Sequence, residues 1–423
     1  MMKKSRILTL LVFVIGLNSL VAQETFKVMF YNLLNFPLQD IPPNRIQYLQ
    51  TILSDYQPDV FMVCELNNEA AGNDILNMIQ QSVNATYSMA NFVLNTSDDT
   101  FGDQNDLQNL IYFDSSKFLL ESQAEVTTIY RDFNHYKLKL NTIQQNTNPI
   151  YIDFIVCHLK ASSGVDNEAL RLQMVIDLET YLDTFPPDSN VVLAGDFNVY
   201  TSSEDGFVEL LDTSNNIVFK DPANRVGSWH SNSNYLDVFT QSTRTQTGLG
   251  GATGGFDDRF DFILTSQNML TNTDLYYVTN SYKVFGNNNN TNCFNQEINS
   301  IDCAGSDYSF TIRDALYNFS DHLPVTLQLQ TTQSLSIDDV AIVSPIEFVY
   351  GNMIDDLLVL KVHPEFISNQ TLNVYDSIGK LIKTINTKNS IYINEDMSML
   401  ANGLYYIVLP QHHINPLKFV ITH

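Results

Sequence analysis

The stretch from Val191 to Asn198, VVLAGDFN, limits the possible folds more than any other. Four apolar residues rise to a glycine and then deliver Asp196 and Asn198 with Phe197 between them. A run of that length and β-branched character reads as an interior strand covered on both faces, and such strands present functional groups at their carboxyl ends. Alternation along a strand points Asp196 and Asn198 one way and Phe197 back into the core. The carboxylate can take protons or metals, and the carboxamide donates hydrogen bonds. The same spacing also fits an Asp-x-Asn turn that merely closes a strand, so other stretches must decide.

A chain of 423 residues exceeds what one hydrophobic core usually organises, so two domains are expected. Lys3, Lys4 and Arg6 precede an apolar run from Ile7 to Leu17, followed by Leu20-Val21-Ala22, which reads as a signal peptide over 1–22. No later segment is long and apolar enough to cross a bilayer as a helix. The net charge of −25 is opposite to that of a protein that tracks nucleic acid by neutralising phosphates. It weighs less against a hydrolase whose contact with phosphate is brief and neutralised by a metal. In an oxidising compartment Cys293 and Cys303, which flank a polar loop, are candidates for a disulfide. Cys64 and Cys157 sit in apolar runs and read as small buried hydrophobes.

Several apolar runs end in a polar residue. FKVMFY leads to Asn32, VFMVC to Glu65, YIDFIVC to His158, and RFDFIL carries Asp261 inside it. SDHLPV places Asp321 and His322 ahead of a last strand, Val325 to Leu329. Helical patterns separate them, through Arg45, Ile46, Leu49 and Leu53, then Ile75, Leu76, Ile79 and Val83, and over Glu168 to Phe185. Each polar end has a bland reading by itself, as a solvated or satisfied residue. A single site assembled by one scaffold accounts for all of them together. From Asn198 to about Gly255 the chain is rich in Ser, Thr, Asn and Gly, where loops that shape a substrate would lie. The aromatic residues Trp229 and Tyr235 are candidates there to meet bases or lipid.

In order, YNLLNF, QPDVFMVCEL, HLKASSG, GDFN, RFDFIL and SDHLPV resemble the endonuclease/exonuclease/phosphatase superfamily, also called deoxyribonuclease I-like, over roughly 25 to 330. The resemblance implies an α/β fold, a four-layer sandwich of two face-to-face mixed β-sheets flanked by helices, and metal-dependent phosphoester hydrolysis. It implies metal ligation by Glu65 with Asn32 and Asp321, for which Mg2+ or Mn2+ suits hard oxygen donors, with Ca2+ an option as a structural ion. Asp196 and Asn198 would position water and phosphate, His322 oriented by Asp261 would exchange a proton, and His158 would assist the leaving oxygen. Arg171 falls where the family often has a structural arginine. Some members carry an acidic residue two positions after the first Asn; here that position is Leu34, which weakens a second metal site.

Beyond the polar stretch TTQSLSID, short alternating strands separated by turn residues read as a small all-β sandwich. NVYDSIGKLIKT, MLANGLYYIVL and LKFVITH resemble the C-terminal sorting domain of type IX secretion cargo of Bacteroidota. A carbohydrate-binding or adhesive module is the alternative for this sandwich. The expected organisation is a signal peptide at 1–22, a catalytic domain at 23–330, a linker at 331–338 and the sandwich at 339–423. The expected protein is a secreted or cell-surface phosphodiesterase, monomeric and without stable membrane insertion, that cuts DNA or RNA as an endonuclease and meets the type IX machinery. The rivals are a phosphatase or sphingomyelinase-like enzyme on the same scaffold, and a non-catalytic surface binding protein.

Overall fold

The apolar runs become strands and the periodic stretches become helices. The structure, a computed structural model, describes residues 23–97, 107–336, 346–362, 371–387, 389–409 and 416–423. The expected signal peptide and residues 337–345 lie outside the described residues. The chain divides into two units, the first ending at residue 337 and the second beginning at residue 338.

In chain order the first unit begins with β1 (Glu24–Phe36), α1 (Arg45–Tyr56), β2 (Val60–Leu66), α2 (Glu69–Ser82), β3 (Tyr87–Met89) and β4 (Gln108–Asp114). There follow β5 (Phe118–Val126), β6 (Phe133–Leu140), β7 (Tyr151–His158), α3 (Val165–Leu182), β8 (Val191–Asp196) and α4 (Asp205–Leu210). It closes with β9 (Phe219–Lys220), β10 (Asp261–Ser266), β11 (Leu275–Tyr277), β12 (Lys283–Val284), α5 (Phe310–Phe319) and β13 (Val325–Thr331).

One mixed sheet runs β11-β13-β1-β2-β4-β3, with β12 also on β13, and the other runs β5-β6-β7-β8-β10-β9. β1 is parallel to β2 and antiparallel to β13, while β8 is parallel to β7 and antiparallel to β10. The sheets pack face to face: Phe26 of β1 meets Phe118 of β5 at 5.0 Å between ring centroids. Asn109 of β4 donates to Asn134 of β6 and to the Val156 carbonyl of β7, so a buried amide crossing the interface has partners. α1 buries Leu49, Ile52 and Leu53 on one stripe and stops where Gln57 turns left-handed before Pro58. It is tied to β1 and α5 through Arg45, which donates to the carbonyls of Leu34 and Phe319. α2 lies on β4, where Tyr112 donates to the Gly72 carbonyl. On the other sheet α3 covers β6, where His135 meets Tyr181. Helices thus flank both sheets, giving the four layers that the motif order implied.

The differences from the sequence reading have physical causes. β5 and β6 do not stand out as apolar runs because β5 is an edge strand with an exposed polar face and β6 alternates lysines with buried residues. β10 begins at Asp261 and not at Arg259, because Arg259 turns away to a bidentate pair with Asp221 at 2.8 and 2.9 Å. The first half of the expected linker is instead part of the first unit. Thr331 ends β13, Thr142 donates to Gln333 at 2.6 Å, and the backbone amides of Ile143 and Ser336 bond the carbonyls of Ser334 and Asn141.

Among the described residues the second unit holds two sheets, one of three strands and one of five. Leu358, Leu360, Leu372, Val374, Ile407 and Phe419 of their facing strands share one apolar cluster. The alternation of turn and strand read from the sequence produces this all-β region.

Candidate active site

Register builds the centre of the site. His158 at the end of β7 pairs with Asp196 at the end of β8, and Asp196 pairs in turn with Asp261 at the start of β10. These three residues therefore form a row across neighbouring strands at one level of the sheet. The facing sheet supplies Asn32 near the end of β1 and Glu65 near the end of β2, and the turn after α5 supplies Asp321 and His322.

The backbone is bent to aim these groups. Pairing of β1 with β2 shifts between Asn32 and Phe36, and pairing of β2 with β4 shifts between Val63 and Leu66, a bulge of the kind that redirects a side chain. Leu34, Asn35, Glu65 and Asn198 all have positive φ, at 48°, 50°, 57° and 52°. For residues other than glycine that conformation costs free energy and collects at functional sites. As a result, Glu65 accepts from Asn32 Nδ2 through Oε1 and from the Asn35 backbone amide through Oε2, both at 2.9 Å. Asn198 lies beyond the end of β8, and its backbone amide donates to Asp196 Oδ1 at 3.1 Å. The spacing of Asp196 and Asn198 is thus that of an Asx turn at a strand end, which combines both sequence readings. The Asn198 side chain donates to the Leu159 carbonyl at 3.3 Å. Phe197 stacks on Phe262 at 4.9 Å, inside the core as expected.

Within the cluster, Asn32 Nδ2 lies 3.1 Å from Asp196 Oδ2. That oxygen is 3.6 Å from His158 Nε2 and 3.7 Å from His322 Nε2. His158 Nε2 is 3.9 Å from Glu65 Oε1. Asp261, fully buried, accepts from His322 Nδ1 at 2.7 Å. All eight expected site residues therefore converge, over as many as 290 positions of sequence.

Four carboxylates in so small a space set the electrostatics. Burial, and then the Asp321 carboxylate, hold the Glu65 carboxyl above its usual range, although the Asn32 hydrogen bond opposes this. Burial pushes Asp196 up to about 7, with the positive His322 opposing and Asp261 and Glu65 adding to it. His158 is driven well down by burial and by Arg131, and so stays neutral. Burial also works against charge on His322, but Asp261, Asp321 and Asp196 outweigh it and raise the imidazole well above its usual range.

These donors fit a divalent cation. Carboxylate and amide oxygens are hard ligands of the kind such an ion takes. Asp321 Oδ2 takes the Ala252 amide at 2.6 Å and Gln241 Nε2 at 3.1 Å, whereas its buried Oδ1 has no hydrogen-bond partner among the described residues. Glu65, His158 and Asp196 have ligating atoms within 4.8 Å of one another, as do Asp196, Asp261 and His322.

Some functional neighbours were not legible beforehand. Gln241 Nε2 lies 2.6 Å from His322 Nε2 as well as touching Asp321. Gly251 packs so tightly on Asp321 that an added Cβ would fall within 2.5 Å of that carboxylate. Both lie in an aperiodic loop where no spacing marks them. Arg171 is structural as expected, buried with Nε and Nη2 on Glu204 at 2.9 and 2.7 Å and Nη1 on the carbonyls of Lys160 and Ser162. Cys293 and Cys303 form a disulfide, and Cys64 and Cys157 are buried and free. The expectation for Trp229 is corrected: its ring is fully buried against Phe207 and Phe262 and cannot meet a substrate. Tyr235 is bound through its hydroxyl to the Val226 carbonyl.

Two mixed sheets packed face to face, with acid, amide and imidazole groups crowded at one end, define the class as an α/β sandwich with a hydrolytic type of site. The chain belongs to the endonuclease/exonuclease/phosphatase family, whose model matches residues 29–322. Members of this family are phosphoester hydrolases that use divalent metals. Among solved structures, D. rerio TDP2 complexed with single strand DNA product is similar at 14% identity and TM-score 0.46, covering 73% of this chain and 99% of that one. An endonuclease/exonuclease/phosphatase from Bacteroides vulgatus is similar at 14% identity and TM-score 0.47, with the same coverage of 73% and 99%. The human Nocturnin catalytic domain with bound sulfate anion shows 15% identity and TM-score 0.44, covering 72% and 94%. No curated protein matches the chain.

Proposed function

We propose that this protein is a secreted, divalent-metal-dependent phosphodiesterase that hydrolyses extracellular DNA or RNA as an endonuclease. The observation that carries the reading is the convergence of Asp196 with two differently tuned imidazoles, one of them bound to a buried carboxylate. Glu65 with Asn32 and Asp321 would hold Mg2+ or Mn2+, which supplies charge neutralisation at the phosphoryl oxygens.

The protein groups divide the remaining work. Asp196, with its proton affinity brought towards neutral pH, suits the general base that takes a proton from the attacking water. Asn198 lies beside it, with its backbone amide on Asp196 and its side-chain amide on the Leu159 carbonyl, and would help to position water and phosphate. His322, kept charged by Asp261, suits stabilisation of the phosphorane charge and proton return, the division of labour expected where neighbours push two affinities apart. Gln241 serves either state of that ring. The neutral imidazole accepts from its Nε2, and the imidazolium donates to Oε1 once the amide turns. His158, neutral and facing Asp196, can donate to the leaving oxygen.

The family-wide chemistry also admits a phosphatase or a sphingomyelinase-like enzyme, and the acidic surface favours a small or metal-neutralised substrate. The discriminating experiment assays purified protein from Gln23 with magnesium against plasmid DNA, RNA, sphingomyelin and inositol phosphates, with and without chelator. Cleavage of nucleic acid above the other substrates supports the proposal, and hydrolysis confined to lipid or inositol phosphates overturns it. Absence of any turnover would favour the binding-protein rival. For export, the proposal rests on the apolar leader and on the resemblance of the tail to type IX sorting domains. Deleting residues 338–423 should strand the protein in the periplasm of a host with that machinery, and unimpaired secretion would refute this.

A further inference from the structure

A cleft opens where the chain leaves the site, just past Asn198. It measures about 800 Å3 and lies between the first turns of α3 and α4, with Tyr200 and His230 on one wall and Ser163, Glu168 and Ala169 on the other. Tyr200 follows Asn198 by two residues, and its carbonyl accepts the backbone amide of His230 at 3.4 Å. Its ring is wedged edge to face between Phe260 at 5.0 Å and His230 at 5.4 Å.

His230 is exposed, at 54% of its side chain, yet it is not loose. Its Nδ1 bonds Asp258 Oδ1 at 2.8 Å, and that carboxylate is largely covered, at 14% exposure. The backbone of Asp258 is in turn paired with Gln241, whose amide touches His322 and Asp321. The exposed His230 and the half-buried Tyr200 beside it are thus tied, through Asp258 and the backbone of Gln241, to the residue whose amide touches His322 and Asp321.

Charge decides what such a cleft can take. Glu168 and Asp205 line it, Glu204 is consumed by Arg171, and His230 is the one cationic candidate in the lining. A second phosphate would meet net repulsion there. A flat, neutral group with hydrogen-bonding edges suits the aromatic wall and the hydroxyls of Ser163, Thr201 and Ser203. Stacking of this kind tolerates any base, because every base has a π-face.

We propose that the Tyr200–His230 wall is a binding subsite for the nucleoside flanking the scissile phosphate, a proposal that rests on the nucleic-acid reading above. The subsite adds binding to a base-bearing strand that an abasic strand cannot use.

The test compares kcat and KM for a single-stranded oligonucleotide, DNA or RNA as the protein cleaves, and for a strand of the same length with abasic sites, with magnesium, in the full-length protein and two variants. His230→Ala removes one wall. Ala169→Trp fills the cleft from the opposite wall, at an exposed helical position that leaves the His230–Asp258 bond in place. Both should lower the ratio of kcat/KM for the base-bearing strand over the abasic strand on the order of 10-fold, chiefly through a higher KM for the base-bearing strand, as expected for one lost stacking contact. An equal fall on both substrates in both variants would show that the wall only supports Gln241 and the centre, and would overturn the subsite. An unchanged ratio in Ala169→Trp would overturn it as well. If the unaltered protein cleaves neither a DNA nor an RNA oligonucleotide, the nucleic-acid reading itself fails and the subsite with it.

Discussion

The Asp261–His322 pair lends itself to a quantitative test. Asp261→Asn keeps the shape of a side chain that is fully buried, so packing is preserved while the charge 2.7 Å from Nδ1 disappears. Two unit charges with centres about 4 Å apart interact by about 4 kcal/mol at an effective dielectric of about 20. If the imidazolium is needed where charge develops, most of that attraction is lost from the transition state, and about 1.4 kcal/mol per decade makes the loss roughly 10³-fold. The amide can also present its NH2 to Nδ1 and impose the wrong tautomer, so the expected window is about 10² to 10⁴ in kcat. His322→Ala should be nearly inactive, and the double variant scarcely worse, because both residues act through one ring. The assay is single-turnover hydrolysis of nucleic acid by the two single variants and the double, each checked for native circular dichroism. Near-wild-type turnover by Asp261→Asn, or multiplicative losses in the double variant, would refute the reasoning.

Chelation should abolish hydrolysis and Mg2+ or Mn2+ restore it, with Glu65→Gln behaving like the chelated protein; undiminished turnover in excess chelator would sink the metal assignment. Asp196, whose proton affinity rises from the ordinary 3.8 to about 7, keeps a proton in the folded chain that the unfolded chain has lost, and Glu65 shifts the same way. Their contribution to stability is therefore fully present below about pH 4 and is lost as pH rises towards 7 in metal-free protein. A divalent cation compensates the charge left when these groups lose their protons, so the gain in Tm on adding Mg2+ should be larger at pH 7.5 than at pH 5, and equal gains would contradict the electrostatics described. A chain ending at Ser336 should keep full activity, whereas one ending at Thr331 loses the bonds from Thr142 and Ile143 to Gln333 and Ser334 and should melt at lower temperature. Identical melting of the two would show that this segment adds nothing.

What the sequence makes legible and what it hides follow from where each residue sits in the fold. Glu65, His158 and Asp196 are conspicuous because a charged group at the end of an apolar run has no bland energetic explanation once several occur together. Sheet register then does the rest: adjacent strand ends lie about 5 Å apart whatever their separation in sequence, so residues such as His158, Asp196 and Asp261 meet without any local signal linking them. Gln241 is invisible for the opposite reason, since a glutamine among Ser, Thr and Gly violates no pattern, and only the pairing of its backbone with Asp258 and His322 brings its amide to the centre. Trp229 misleads because a loop location does not imply exposure; its ring fills the core beneath the loop while the neighbouring His230 takes the surface. The candidate site of this chain is therefore written at strand ends, where periodicity exposes it, and the proposed subsite is written in the 199–258 loops, where only the folded backbone does. Loop exchange with a relative of different substrate should accordingly move preference while leaving the dependence on Asp261 and His322 intact. A loop chimaera that no longer needed Asp261 would show that the two are not separable.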